Sequence, residues 1–227
     1  SPGAFRAAIA AGYAIECDIQ PSAYGVPMVF HDYDMRRLTG VAGRIRGRTA
    51  KELGSIRLLD SEDDIPTLAA MLALVAGRVP LLVEIKDQDG AMGPEVGPLE
   101  RAVAETVRGY GGLIAFMSFN PHSVAALATA APDRPRGITT SAYAAEDWTL
   151  LSAGVRDRLR KIPDYDRVGA SFISHEAQDL DRPRIAELKR AGAALLTWTV
   201  RSPEAEAIAR KIAQNITFEG YEAVLPA

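Results

Sequence analysis

Cysteine is almost absent: Cys17 stands alone among 227 residues. One thiol makes no internal disulfide framework and no cysteine-rich zinc site. Long apolar runs are missing too, so nothing resembles a membrane span or the core of a signal peptide. No strand-like segment runs into G-x-G-x-x-G, and there is no Walker-type phosphate loop. Positive charge is not in excess. Lys and Arg number 26 against 29 Asp and Glu, a formal charge of −3, which argues against a generic nucleic-acid binder and against a polybasic membrane docker. No Ser- or Gly-rich linker divides the chain, which reads as one domain over 1–227. It opens Ser1-Pro2-Gly3 rather than with methionine, which points to residues processed away or omitted upstream.

What is present alternates. SPGAFRAAIAAGY predicts a helix capped by Ser1, with Pro2 in its first turn and Gly12 at its end. YAIECDIQ follows as a strand, PSAYGVP as a turn, and MVFHD as a short return strand ending in His31 and Asp32. Residues 35–51 carry Arg36, Arg37, Arg44, Arg46, Arg48 and Lys51 and no acid. That run reads as a solvated loop, with a positive field near an anionic substrate as the other reading. It has no interleaved aromatics, as a nucleic-acid stripe would want. A helix is expected from Pro66. Then VPLLVEIKD, LIAFMSF, PRGITTS, ASFISHEA, LLTWTV and NITFEG predict strands, each separated from the next by a helical stretch. Repeated βα units imply a parallel sheet covered by helices. An open doubly wound sheet would satisfy this. A (β/α)8 barrel lacking its first strand fits better, because the chain starts on a helix with no strand before it.

Function on such a barrel sits at the carboxyl ends of the strands. Glu16 and Asp18 stand two apart on YAIECDIQ and so share a face with Gln20, while Ile15, Cys17 and Ile19 take the other. Glu84 and Lys86 share a face of LLVEIKD. Three carboxylates from neighbouring strands make a hard oxygen site suited to Ca²⁺ or Mg²⁺. Lys86 suits an anionic oxygen, and His31 exchanges a proton near neutral pH. Together they suit hydrolysis of a phosphate ester. Each element alone is as readily structural: salt bridges at a barrel mouth, or a histidine at a turn. His122 opens a helix, and His175, followed by Glu176, ends a strand; each reads as a polar end or as pocket rim. Tyr143 and Trp148 lie in a loop that packs or walls the pocket. KDQDGAMGPEVGP is a gating loop or a passive connection.

In the order AFRAAIAAGYAIECDIQ, GVPMVFHDYDMRRLTG, IPTL, LLVEIK, SFN, LLTWTV, the chain resembles the glycerophosphodiester phosphodiesterase family over nearly its whole length. The resemblance implies a TIM barrel of the phospholipase C-like phosphodiesterase type. It implies metal-dependent release of sn-glycerol 3-phosphate and an alcohol from a small glycerophosphodiester, with a place in lipid and glycerol metabolism. Glu16, Asp18 and Glu84 are then the ligands of a divalent cation, Ca²⁺ or Mg²⁺. His31 is the general acid/base, Lys86 contacts phosphate and Trp198 lines the mouth of the pocket. Arg37 matches an arginine after the His-Asp pair, with no catalytic role assigned. Glu219 falls near an acidic segment that often ends the family's last strand.

The family pattern opens on a strand ending His-Arg-Gly, followed by a Glu-Asn pair, and this sequence has neither. Read as the entire polypeptide, it would be a crippled enzyme with an unpaired sheet edge; an upstream segment in the full protein is the reading preferred. The rivals are a lysophospholipid-cleaving, phospholipase D-like enzyme, a non-catalytic phosphate-binding barrel, and a metal-dependent lyase or aldolase. The lone cysteine suits the cytoplasm, and a periplasmic protein stripped of its signal would read the same.

Overall fold

Ser1 accepts a hydrogen bond from the Ala4 amide and Pro2 fills the first turn, so helix α1 (Pro2–Ala11) starts where its sequence dictates. It ends at Gly12, whose φ of 78° is one a side chain would strain to adopt. The computed structural model describes residues 1–225. After α1 the chain makes β1 (Ile15–Pro21) and turns back into β2 (Pro27–Val29). Three short helices and turns follow: α2 (Arg36–Thr39), a 3-10 turn (Ile45–Gly47) and α3 (Ala50–Leu53). The βα repeat then runs from α4 (Leu68–Val75) and β3 (Leu81–Ile85) through α5 (Pro98–Thr106), β4 (Ile114–Ser118) and α6 (Pro121–Ala130). It continues with β5 (Arg136–Thr140), α7 (Ala153–Arg160), β6 (Phe172–Glu176) and α8 (Pro183–Arg190), and ends with β7 (Ala194–Val200), α9 (Pro203–Ala209) and β8 (Asn215–Phe218).

One curled sheet holds all eight strands in the order β2-β1-β3-β4-β5-β6-β7-β8, parallel except for the β1–β2 hairpin. Among the described residues, β8 pairs with β7 alone and residues 15–18 of β1 pair with β3 alone. The edges of β1 and β8 face one another across a cavity of about 1330 Å³. Tyr13 spans that side, its ring 5.0 Å edge-on from Phe218 and its hydroxyl donating to the Ala223 carbonyl at 2.5 Å.

The apolar core lies between sheet and helices. Ile15, Cys17 and Ile19 of β1 pack there with Val83, Phe116 and Val103, each large aliphatic or aromatic side chain contributing about 1.5–3 kcal/mol by burial. The opposite face of β1 therefore looks into the barrel. Phe172 crosses the barrel floor against Gly137, where an added Cβ would fall 2.3 Å from its ring. No helix among the described residues is long and apolar enough to cross a membrane.

Two expectations change. The helix expected from Pro66 starts at Leu68: extended Thr67 caps it through the Ala70 amide, while the Pro66 carbonyl accepts from the Val29 amide. The basic run 35–51 is more than a solvated loop, because Met35 and Ile45, with Leu53 just beyond the run, anchor it in a small apolar core with Met28, Phe30 and Ile65. Its cations sit on the outside of that core.

Candidate active site

The β1–β3 register sets Asp18 opposite Glu84. Glu16, two residues before Asp18, points to the same side. One oxygen from each of the three carboxylates lies within 4.8 Å of the others. Lys86 leans in from the end of β3, its Nζ 2.9 Å from Asp18 and 3.1 Å from Glu84. Apart from that ionic contact the buried Glu84 Oε1 has no hydrogen-bond partner.

Three carboxylates and one ammonium leave surplus negative charge where water is scarce. Burial, with repulsion from Asp18 and Glu84, pushes the Glu16 carboxyl well above its ordinary range, and Lys86 only partly opposes this. Burial also pushes Glu84 up. For Lys86 burial acts downward, but Glu84 and Asp18 together outweigh it and hold the ammonium above its ordinary value. An all-oxygen set of this kind, with an orphaned carboxylate oxygen and excess charge, fits a hard divalent cation.

His31 follows β2 and is held from two sides. The Gln20 amide, on the barrel-facing side of β1, donates to three successive carbonyls: Phe30 at 2.9 Å, His31 at 3.3 Å and Asp32 at 2.7 Å. His31 Nδ1 lies 2.7 Å from Asp32 Oδ1. Arg37 donates two bonds to the same carboxylate, at 2.7 and 2.6 Å, which together with His31 holds Asp32 below its ordinary value. An ionised carboxylate only accepts, so Nδ1 carries the proton and Nε2 is left free.

Glu16, Asp18, His31, Glu84, Lys86 and Trp198 all line the cavity between the β1 and β8 edges. Trp198 donates from Nε1 to the Ser174 carbonyl at 3.1 Å and stands edge-on to Phe119 at 5.4 Å. Phe119 lines the cavity as well, a position the sequence reading passed over. The signal was there: it lies two residues beyond Met117, on the same parity as the barrel-facing side of β4. Parity sets Gln20 on the barrel-facing side of β1 without giving it a role, and sequence alone gives Arg37 no contact.

Most other candidates fall away from the cavity. Tyr143 and Trp148 pack against Phe119 with Met92, Leu151 and Leu159. His175 faces the helices, not the barrel, and is buried between Thr140 and Asp179. His122 sits in the first turn of α6, away from the cavity. Glu219 reaches the cavity rim as an exposed ion pair with Arg201. The segment after Lys86 is tied down: Asp87 accepts from Asn120 at 2.8 Å and from the Met92 amide at 3.2 Å, and Asn120 also donates to the Gly93 carbonyl.

The model of the glycerophosphoryl diester phosphodiesterase family matches residues 1–217. No curated protein matches the sequence. Among solved structures, the fold is similar to a phosphodiesterase from Oleispira antarctica, determined in complex with the product sn-glycerol-3-phosphate. The two share 20% identity over 96% of this chain and 85% of that one, with a TM-score of 0.76. A glycerophosphodiester phosphodiesterase from Parabacteroides distasonis gives 20% identity, coverage of 96% and 84%, and a TM-score of 0.76. One from Thermotoga maritima gives 21%, 96% and 87%, and 0.71. At these identities the likeness establishes a shared fold.

Proposed function

Because this chain belongs to the glycerophosphoryl diester phosphodiesterase family, we propose that it hydrolyses glycerophosphodiesters to sn-glycerol 3-phosphate and an alcohol, in a divalent-metal-dependent reaction and as one catalytic barrel. The observation that carries this reading is the convergence of Glu16, Asp18, Glu84, Lys86 and His31 on one cavity. Glu16, Asp18 and Glu84 hold the cation, Ca²⁺ or Mg²⁺. When bound, the cation neutralises phosphate charge as a Lewis acid.

Lys86 turns its ammonium from the carboxylates towards a phosphate oxygen, its charge secured by the same neighbours that raise its pKa. His31 Nε2 takes a proton from water as the water oxygen adds to phosphorus; the bond to the departing alcohol breaks, and the same proton passes from Nε2 to the alcohol oxygen, which keeps the released electron pair. Asp32 holds the ring in the useful tautomer, and Arg37 and Gln20 fix its place. Trp198 and Phe119 form an apolar wall that limits water at the mouth.

The test is release of sn-glycerol 3-phosphate from glycerophosphocholine, followed by a coupled dehydrogenase assay. Activity should vanish on chelation, return with Ca²⁺ or Mg²⁺, and be lost in Glu84→Gln. Turnover indifferent to chelator and to that substitution would overturn the reading.

A further inference from the structure

Exposed cations without an ion pair stand singly over most of the chain, as Arg101 does on α5, Arg190 on α8 and Lys211 after α9. The segment that follows β2 is different. Arg36, Arg44, Arg46, Arg48 and Lys51 all fall between the start of α2 and α3, and none makes an ion pair among the described residues. All but Arg48 are exposed. Arg46 has one side-chain bond, to the Gln88 carbonyl at 2.9 Å, which leaves its charge whole. The nearby acids mostly have other partners. Asp32 is held by Arg37 and His31, Glu62 and Asp64 by Arg57, and Asp63 by Arg6. Asp34, Glu52 and Asp60 remain, fewer than the cations they face. The formal charge of −3 belongs to the whole chain and conceals this local excess.

The segment is anchored, and it borders the mouth of the cavity. Met35 and Ile45 are buried in its small core. Leu38 and Leu59, joined by a backbone hydrogen bond of 2.9 Å, both line the cavity. The Arg48 carbonyl accepts from the Ala23 amide at 2.7 Å, which ties the run to the hairpin turn. Around it Tyr24 is 85% exposed, Leu59 53% and Tyr33 42%. One exposed apolar side chain needs no explanation. Phenol rings and a leucine beside a block of unneutralised cations have the composition of a surface seated at a membrane–water interface. The rings lie at headgroup level and the cations meet lipid phosphates. A single-stranded nucleic acid stacks its bases on rings set among the cations, and the run from Arg36 to Lys51 holds no aromatic residue.

We propose that this segment, with Tyr24, Tyr33 and Leu59, is a docking surface for anionic lipid bilayers, and that docking sets the mouth of the cavity against the membrane. Charge supplies most of the attraction. Each cation brought to an anionic leaflet strengthens binding about fivefold, and salt weakens it by screening. The rings and Leu59 add apolar contact with the headgroup region. This goes beyond the phosphodiesterase reading, and vesicle binding is measured without any turnover.

The experiment is co-sedimentation with phosphatidylcholine vesicles, with and without phosphatidylglycerol. The parent is compared with a triple variant (Arg36→Gln, Arg44→Gln, Lys51→Gln), with Tyr24→Ser, and with a control triple (Arg101→Gln, Arg190→Gln, Lys211→Gln). The parent should bind phosphatidylglycerol vesicles at low salt, leave them at high salt and ignore pure phosphatidylcholine. The first triple should bind about 100-fold more weakly, and Tyr24→Ser severalfold more weakly. The control triple should stay within about threefold of the parent. All should melt with the parent, since none of these side chains gives up a bond.

Equal binding to both kinds of vesicle, or to neither, overturns the proposal. So does an equal loss in the two triples, which would make the attraction one of overall charge. A parent that binds oligothymidylate more tightly than the anionic vesicles overturns it in favour of a nucleic-acid surface. If the parent turned over no diester, the phosphodiesterase reading would fall, and the vesicles alone would still decide the docking surface.

Discussion

His31 and His175 each sit beside an aspartate that is itself gripped by an arginine. At one end of the barrel the set is His31, Asp32 and Arg37; at the β6 end it is His175, Asp179 and Arg182. Read as a list of residue types, the two are the same device. They differ in what the second ring nitrogen meets. The His31 side chain is 62% exposed, lines the large cavity and keeps Nε2 open. His175 is 1% exposed, with Nδ1 on Thr140 and Nε2 on Asp179. Burial holds His175 below its ordinary value, against the pull of Asp179. A histidine–aspartate contact therefore marks a proton shuttle only where one nitrogen is left for a substrate.

Four substitutions test that contrast. Removing the ring in His31→Ala should lower kcat by about 10²–10⁴-fold while melting changes little, as expected of an exposed position; a loss under tenfold would take His31 out of the chemistry. Asp32→Asn should cost about 10–100-fold by freeing the ring and its tautomer. Arg37→Ala should cost only severalfold. Because Arg37 keeps Asp32 below its ordinary value, the acid limb of the pH–rate profile should shift to higher pH in this variant. An unmoved acid limb would show that the arginine only decorates the surface.

His175→Gln should leave kcat within about twofold yet cost about 1–3 kcal/mol of stability, measured by urea unfolding. The pH dependence has a definite sign. His175 is neutral in the folded protein, whereas the unfolded chain takes up its proton below about pH 6.5. The associated stability is complete above that value and is lost as pH falls towards the lowered folded value. The parent should therefore weaken between about pH 7.5 and about pH 5.5 more steeply than His175→Gln. Equal slopes would mean that this histidine is protonated in the fold.

The layout of strands and helices was legible because period-two and helical spacing are local properties of the chain. The acidic faces of β1 and β3 could be read by parity alone. Their meeting depends on the ladder that sets Asp18 against Glu84, a relation between residues far apart in sequence, which the βα order suggests by making the two strands neighbours but does not fix in register. Parity could not orient His175, since Phe172 and Ile173 are both apolar and either side of β6 could face the helices. Nor could it find the Arg37 grip on Asp32, which is a fact about partners rather than about residue types. The buried anchors in 35–51 were hidden by the charges between them.

Gln20 has one further consequence. By holding three successive carbonyls of the returning chain, it fixes the height of His31 from β1 directly, so the connecting turn is not what sets that height. The turn closes on itself through Ser22 and Val26, its tip carries the exposed Tyr24, and nothing approaches Gly25. That tip is a natural grafting point: a short peptide tag or fluorophore-binding sequence spliced between Tyr24 and Gly25 should leave turnover intact, and would let the enzyme be labelled within reach of its own mouth.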